Sequence, residues 1–91
     1  MNKNQFREAV DGLGFDSETL LDGGQVMLGS SNLFALAYDF NSNTLVVSFL
    51  NGSSYEYTSV PEQEVIGLLG AGSHGSYFHH NIRLSYPYSR L

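Results

Sequence analysis

Asn51-Gly52 is the feature that most restricts what this chain can fold into. It lies between two β-prone runs, Thr44 to Leu50 and Ser53 to Tyr57. Asn and Gly tolerate the positive φ that tight hairpin turns demand, and Val, Phe and Tyr suit a half-buried pleated surface. A β-hairpin is expected, and the hydrophobic pattern chooses its register. Leu45, Val47 and Phe49 share one face of the first strand; Val46, Ser48 and Leu50 share the other. On the second strand Tyr55 and Tyr57 face together, opposite Ser54, Glu56 and Thr58. A two-residue loop would place both tyrosines with Val46 and Ser48 and set Glu56 beside Val47. A three-residue loop, Leu50-Asn51-Gly52 with Gly52 in a bulge, aligns Val47 with Tyr55 and Leu45 with Tyr57 and gathers one apolar face. A slip of one residue moves every side chain to the opposite face, so the bulged turn is the expected register.

The neighbouring segments extend this hairpin. Leu33 to Tyr38 reads as a strand with Phe34, Leu36 and Tyr38 on one face, and Asp39 to Asn43 is a polar turn leading into Thr44. Three successive strands with short turns imply an antiparallel meander, which needs a helical cover. Pro61 fits the first position of a helix, with Glu62 and Glu64 in its first turn, Val65, Leu68 and Leu69 on one face, and Gly70-Ala71-Gly72 at its end. Ser73 is placed to cap a second helix bearing Phe78 and Ile82, and Pro87 stops it. Residues 1–29 form a preface: Phe6, Val10 and Leu13 recur at helical spacing behind a candidate cap at Asn4, and Asp16 to Leu21 suggests a second short helix ended by Gly23-Gly24. Gln25 to Leu28 reads equally as a strand or a buried loop. The expected fold is therefore α+β: a three-stranded antiparallel β-meander covered by two C-terminal helices, with a short helical N-terminal extension. Its expected division is an extension over 1–29 and a domain over 30–91.

At 91 residues the chain is sized for one domain. It has no cysteine, so neither disulfides nor thiolate metal sites are available, and a reducing cytoplasm is the expected setting. No apolar run approaches a membrane span, and Met1-Asn2-Lys3-Asn4 does not resemble a secretory signal. The net charge is −5, but all nine carboxylate side chains lie at or before Glu64. From Val65 onward the only ionisable charges are Arg83, Arg90 and the three histidines. Broad affinity for nucleic acid would call for a more basic protein; a C-terminal face suited to an anion fits better.

In order along the chain, Ser30-Ser31, Tyr38-Asp39, Leu45-x-Val47-x-Phe49, Asn51-Gly52, Tyr55-x-Tyr57, Val60-Pro61, Ala71-x-Ser73-x-Gly75-x-Tyr77-Phe78 and Ile82-Arg83 resemble the KTSC domain. The resemblance runs from about Ser30 to Tyr88 and leaves residues 1–29 outside. His79 departs from it, standing where the family tends to carry Asn. The resemblance implies a module found at the C-terminus of some lysyl-tRNA synthetases and as small free-standing bacterial and phage proteins. It implies no established activity, and points to RNA only through those fusion partners.

Gly70-Ala71-Gly72-Ser73-His74-Gly75 spells the glycine pattern of a dinucleotide turn, but it follows a helix and no βαβ unit surrounds it. A simpler anion site remains: Ser73, His74 and Gly75 at a helix start, with Tyr77, His79 and Arg83 along the helix. The bland alternative is a tight helix–helix turn capped by Ser73. His74, His79 and His80 lack the spacing and the carboxylate of a metal site, and no Asp or Glu follows Glu64 to orient a catalytic histidine. No catalytic residue, metal or cofactor is expected. Tyr55 and Tyr57 are expected in the core, with an exposed stacking platform as the alternative; Tyr77, Tyr86 and Tyr88 are the surface aromatics near Arg83 and Arg90. The functional expectation is a non-enzymatic binding module engaging RNA, a nucleotide or another phosphate-bearing molecule through its C-terminal helices. The alternative is a protein-interaction or inhibitor module, phage-encoded and acting on a host protein or signalling ligand, with the acidic residues 1–29 as the surface for a basic protein partner.

Overall fold

The computed structural model describes residues 1–91. The first helix, α1 (Lys3–Gly12), begins at a reciprocal cap: the Asn2 side chain accepts from the Gln5 amide at 2.8 Å, and the Gln5 side chain accepts from the Asn2 amide at 2.9 Å. Asn2 rather than Asn4 is the cap, because Asn4 lies within the first turn and accepts from Arg7. Phe6 and Val10 are buried, whereas Leu13, just past the last turn, is exposed. Asp16 caps the short α2 (Ser17–Leu21), which ends at Gly23 with φ +89°.

Five strands follow, β1 (Val26–Met27), β2 (Leu33–Asp39), β3 (Thr44–Phe49), β4 (Ser54–Tyr57) and β5 (Tyr88–Arg90), with α3 (Glu62–Gly70) and α4 (His74–Asn81) between β4 and β5. They form one antiparallel sheet in chain order. The fold is α+β, but the expected three-stranded meander gains a strand on each edge, and its helices come from both ends of the chain. β1 forms because Val26 drops into the core opposite Leu36. β5 pairs with β4 and seats Tyr88 against the rings of Tyr55 and Tyr57. Neither strand is long enough to show an alternation in sequence.

The central hairpin has the expected register, with Val47 opposite Tyr55 and Leu45 opposite Tyr57. The Phe49 amide donates to the Ser53 carbonyl at 2.9 Å and Gly52 has φ +92°, as a three-residue turn closed by a left-handed glycine requires. β2 departs from expectation. Leu33 pairs with Phe49 but Ala35 pairs with Ser48, so one residue bulges between them. Leu33, not Phe34, thus joins Leu36 and Tyr38 in the core, and Phe34 is left exposed.

Side chains from every helix meet those from the sheet in one cluster, with Phe6, Val10 and Leu20 of the preface against Leu36, Leu45, Val47, Val65, Leu68 and Ile82. The Phe6 ring lies 5.7 Å from Tyr38 and 5.3 Å from Phe40. The Tyr38 hydroxyl donates to the Val60 carbonyl at 2.6 Å, and burial of this phenol pushes its pKa up. Pro61 is the N-cap of α3 rather than its first residue, with ψ 156°. Tyr57 is 3% exposed and packs on Phe78 at 5.5 Å, while Tyr55 is only half-buried. The two tyrosines thus share a face but not an environment.

Two stability measurements check this packing. Phe6→Ala should lower the unfolding free energy by about 3–5 kcal/mol, as aromatic truncations in a core do; a loss near zero in urea titration would show that α1 is not part of the core. Tyr57→Ala should cost a similar amount, whereas Tyr55→Ala should cost only about 1–2 kcal/mol; equal losses would contradict their different burial.

Candidate functional site

The geometry of α4 separates the residues that the sequence groups together. At about 100° per residue, positions four apart share a face. Phe78 and Ile82 point into the core. On one flank, toward α3, His74 donates from Nδ1 to the Leu68 carbonyl at 2.8 Å and packs edge-on against Phe15 at 6.4 Å. On that flank too, the Tyr77 hydroxyl donates to Glu64 Oε1 at 2.6 Å. A side chain on Gly67 would collide with that hydroxyl, so the small residue lets Tyr77 cross α3. Tyr86 donates to the other oxygen of Glu64, also at 2.6 Å. Ser73 accepts from the Ser76 amide at 3.2 Å and is occupied as the helix cap.

Gly75, His79 and Arg83 form the opposite flank. They line an open groove of about 410 Å³ between α4 and the β3–β4–β5 end of the sheet. Its floor is Phe49, Tyr55 and Tyr57; Tyr88 and Leu84 stand at one end, and Asn32, Asn51 and Ser53 at the other. Gly75 allows the close approach on which this wall depends, since a Cβ there would lie 2.8 Å from Asn32 Oδ1. Of the six expected site residues, therefore, Gly75, His79 and Arg83 come together, while Ser73, His74 and Tyr77 hold the helix in place.

The groove is cationic and aromatic. Arg83 donates from Nη1 to His79 Nδ1 at 3.3 Å, and Arg90 lies over the Tyr55 ring at 5.9 Å. Neither guanidinium has a carboxylate within 4.0 Å; the one ion pair of the chain joins the N-terminal amine to Glu62. Phe49 meets Tyr55 at 5.9 Å and Phe78 at 5.5 Å, both edge-to-face, and Tyr88 meets Tyr57 at 5.7 Å. Tyr88 is 57% exposed and Leu84 82% exposed. Of the three tyrosines expected as surface aromatics near Arg83 and Arg90, only Tyr88 is exposed at the groove; Tyr77 and Tyr86 are half-buried on Glu64, and Asn32, Asn51, Ser53 and Leu84 were not expected there. In the sequence Asn51 signals only a turn, and Asn32 reaches the site only through tertiary packing.

The sequence profile of the KTSC domain matches residues 29–86. The chain belongs to the KTSC family. The crystal structure of a KTSC domain protein from Yersinia pestis is similar to it, with a TM-score of 0.69 and 25% identity over 74% of this chain and 94% of that one. A protein of Stutzerimonas stutzeri (strain A1501), itself uncharacterized, is 43% identical over 54 residues, covering 59% of this chain and 76% of the relative. The matched KTSC segment contains Asn32, Phe49, Asn51, Tyr55, Gly75, His79 and Arg83 of the groove, but ends before Tyr88 and Arg90. Phe6, Val10 and Leu20 precede it and still contribute to the same core.

The Glu64 contacts make a pH-dependent clasp. Tyr77 is pushed up to about 12 by burial and by its bond to Glu64; Tyr86 is pushed up to about 12 chiefly by the Glu64 bond. Both folded values exceed the ordinary phenol value of 10, so folding favours the neutral form. That stabilisation is fully present below pH 10 and is lost as pH rises through 12. Ultraviolet titration should accordingly show Tyr77 and Tyr86 ionising late, beside the buried Tyr38 and Tyr57, which are also raised. Glu64→Gln should bring only Tyr77 and Tyr86 back toward 10, Tyr86 further because burial still acts on Tyr77. If their ionisation were unchanged in that variant, the clasp would not be what raises them.

Proposed function

We propose that this KTSC protein is a non-enzymatic binding module whose groove takes an anionic ligand carrying a flat aromatic group, namely a nucleotide or a segment of single-stranded RNA. The observation that carries the reading is the pairing of two guanidiniums without a carboxylate partner, Arg83 lining the groove and Arg90 beside it over Tyr55, with the aromatic walls made by Phe49, Tyr55 and Tyr88. Guanidinium groups pair with phosphate oxygens through parallel N–H donors, and every nucleobase has a face that stacks on an aromatic ring. Arg90, seated over Tyr55, keeps the N–H groups at the rim of its plane free to donate. The half-exposed Tyr88 offers a ring face without loss of core packing.

The ligand in this reading lies along α4, with phosphate at Arg83 and His79, rather than at the helix start. Ser73 is occupied as a cap and His74 by the Leu68 carbonyl. The division that accompanies the proposal is a KTSC unit over 30–91 that carries the groove and an extension over 1–29 that covers the far side of the core. A protein partner on that extension would meet its polar face, where Glu8, Asp11, Glu18 and Asp22 are exposed, because its apolar side is buried.

An amide-shift titration with mononucleotides and short single-stranded RNA tests the proposal. Shifts should gather at residues 75–83, at Asn51 to Tyr55 and at Tyr88 to Arg90. Arg83→Ala, at an exposed position, should leave the fold intact, weaken binding by about tenfold and reduce the slope of log affinity against log salt by about one. Shifts confined to residues 1–29, or none at low salt, would sink the groove reading.

A further inference from the structure

The two ends of the groove differ in a way that bears on which base it would take. Arg83 and His79 are at one end; Asn32 and Asn51, each presenting a primary amide, are at the other. The orientation of the Asn51 amide is set by its neighbours. Its Oδ1 accepts from the Ser53 amide at 2.9 Å and from Ser53 Oγ at 2.7 Å. Both partners are donors toward it, so the oxygen must be the atom facing them and the NH2 must face away. The Asn32 oxygen is turned toward Ser30 Oγ at 3.4 Å and toward the helix at Gly75. Neither side-chain NH2 has a partner in the protein, and the Leu50 amide donating to the Asn32 carbonyl at 2.9 Å holds the two segments together. Asn51 therefore gives this end of the groove a hydrogen-bond donor of set orientation, and Asn32, held only through the Ser30 hydroxyl, gives it a second amide that can turn.

We infer that the groove prefers nucleotides with a keto oxygen at pyrimidine C4 or purine C6, uracil and guanine, over cytosine and adenine, which carry an amino group at that position, with Asn51 and Asn32 as the residues that read that edge of the base. This rests on the nucleotide reading of the groove. In this reading the phosphate is held at Arg83 and the base is directed along the groove toward the amides. A carbonyl oxygen there accepts from the amide NH2, whereas an exocyclic amino group would set donor against donor and leave both unpaired. Stacking on Phe49 and Tyr55 discriminates little, because every base has a π face. The selection accordingly depends on the two amides.

The experiment compares bases of equal ring size: uridine against cytidine monophosphate, and guanosine against adenosine monophosphate, by amide-shift titration at low salt. The keto partner of each pair should bind about tenfold more tightly. Asn51→Asp is the decisive variant. Aspartate retains the acceptor that Ser53 needs and suits the same turn, but replaces the NH2 by an oxygen. Its added charge weakens all four nucleotides alike, so the ratio within each pair is the readout, and that ratio should fall to unity or invert. Asn32→Asp, away from the hairpin turn, gives the same ratio test if the first variant alters the melting midpoint. Equal affinity within both pairs for the natural protein, or a ratio untouched by both substitutions, would overturn the base preference while leaving the groove as the binding site. Absence of shifts with all four nucleotides would remove the groove reading and the preference together.

Discussion

The register of the β3–β4 hairpin is the constraint on which the rest of the structure depends. A three-residue turn closed by Gly52 puts Tyr55 and Tyr57 on the same face as Leu45, Val47 and Phe49. Slipping it by one residue would carry Glu56 under the helices and turn both rings to solvent. In the register observed, Tyr57 and Phe49 make the surface on which Phe78 seats, each about one ring contact away at 5.5 Å. Phe78 in turn fixes the rotation of α4, and so directs Gly75, His79 and Arg83 to one flank and His74 and Tyr77 to the other. The groove is thus a by-product of how one hairpin is closed.

A second interaction determines the charge of that groove. Glu64 is the last carboxylate side chain in the sequence, and both its oxygens accept from tyrosines of the acid-free C-terminal part, Tyr77 and Tyr86. Phenols rather than arginines therefore neutralise its hydrogen-bonding capacity. Arg83 is held only by His79, and Arg90 only by the face of Tyr55. Hydrogen bonds from neutral donors leave the positive charges of the C-terminal segment uncompensated at the groove, in a protein whose net charge is −5. The overall sign of the chain is then a poor guide to the sign of this aromatic groove.

Much of the fold was legible because it rests on local chemistry. The turn at Asn51-Gly52, the register, the cap at Ser73 and the inward pair Phe78 and Ile82 all follow from side-chain size, period and conformational preference over a few residues. So did the burial of Phe6 and Val10 on one face of α1. The misreadings have an equally physical cause. The bulge at Phe34 depends on pairing with β3, not on the residues of β2. β1 and β5, with two and three residues, carry no period, and are held by contacts to residues distant in sequence, Val26 opposite Leu36 and Tyr88 against Tyr55 and Tyr57.

The candidate site divides along the same line. By itself the sequence determined that an acid-free segment bearing Arg83, Arg90, three histidines and several tyrosines would follow a helix rich in carboxylates at its start. The spacing of four that puts Gly75 and His79 on one helix face is local too, but the sequence groups Ser73, His74 and Tyr77 with them, and Arg83 lies just past the end of α4. Only the tertiary structure decided that this face meets an aromatic floor, that Asn32 and Asn51 close the far end, and that Ser73, His74 and Tyr77 serve the scaffold instead. The reason is distance along the chain. The walls of the groove come from segments separated by dozens of residues, and no local preference encodes their meeting; it is set by burial of Phe49, Tyr57 and Phe78 against one another.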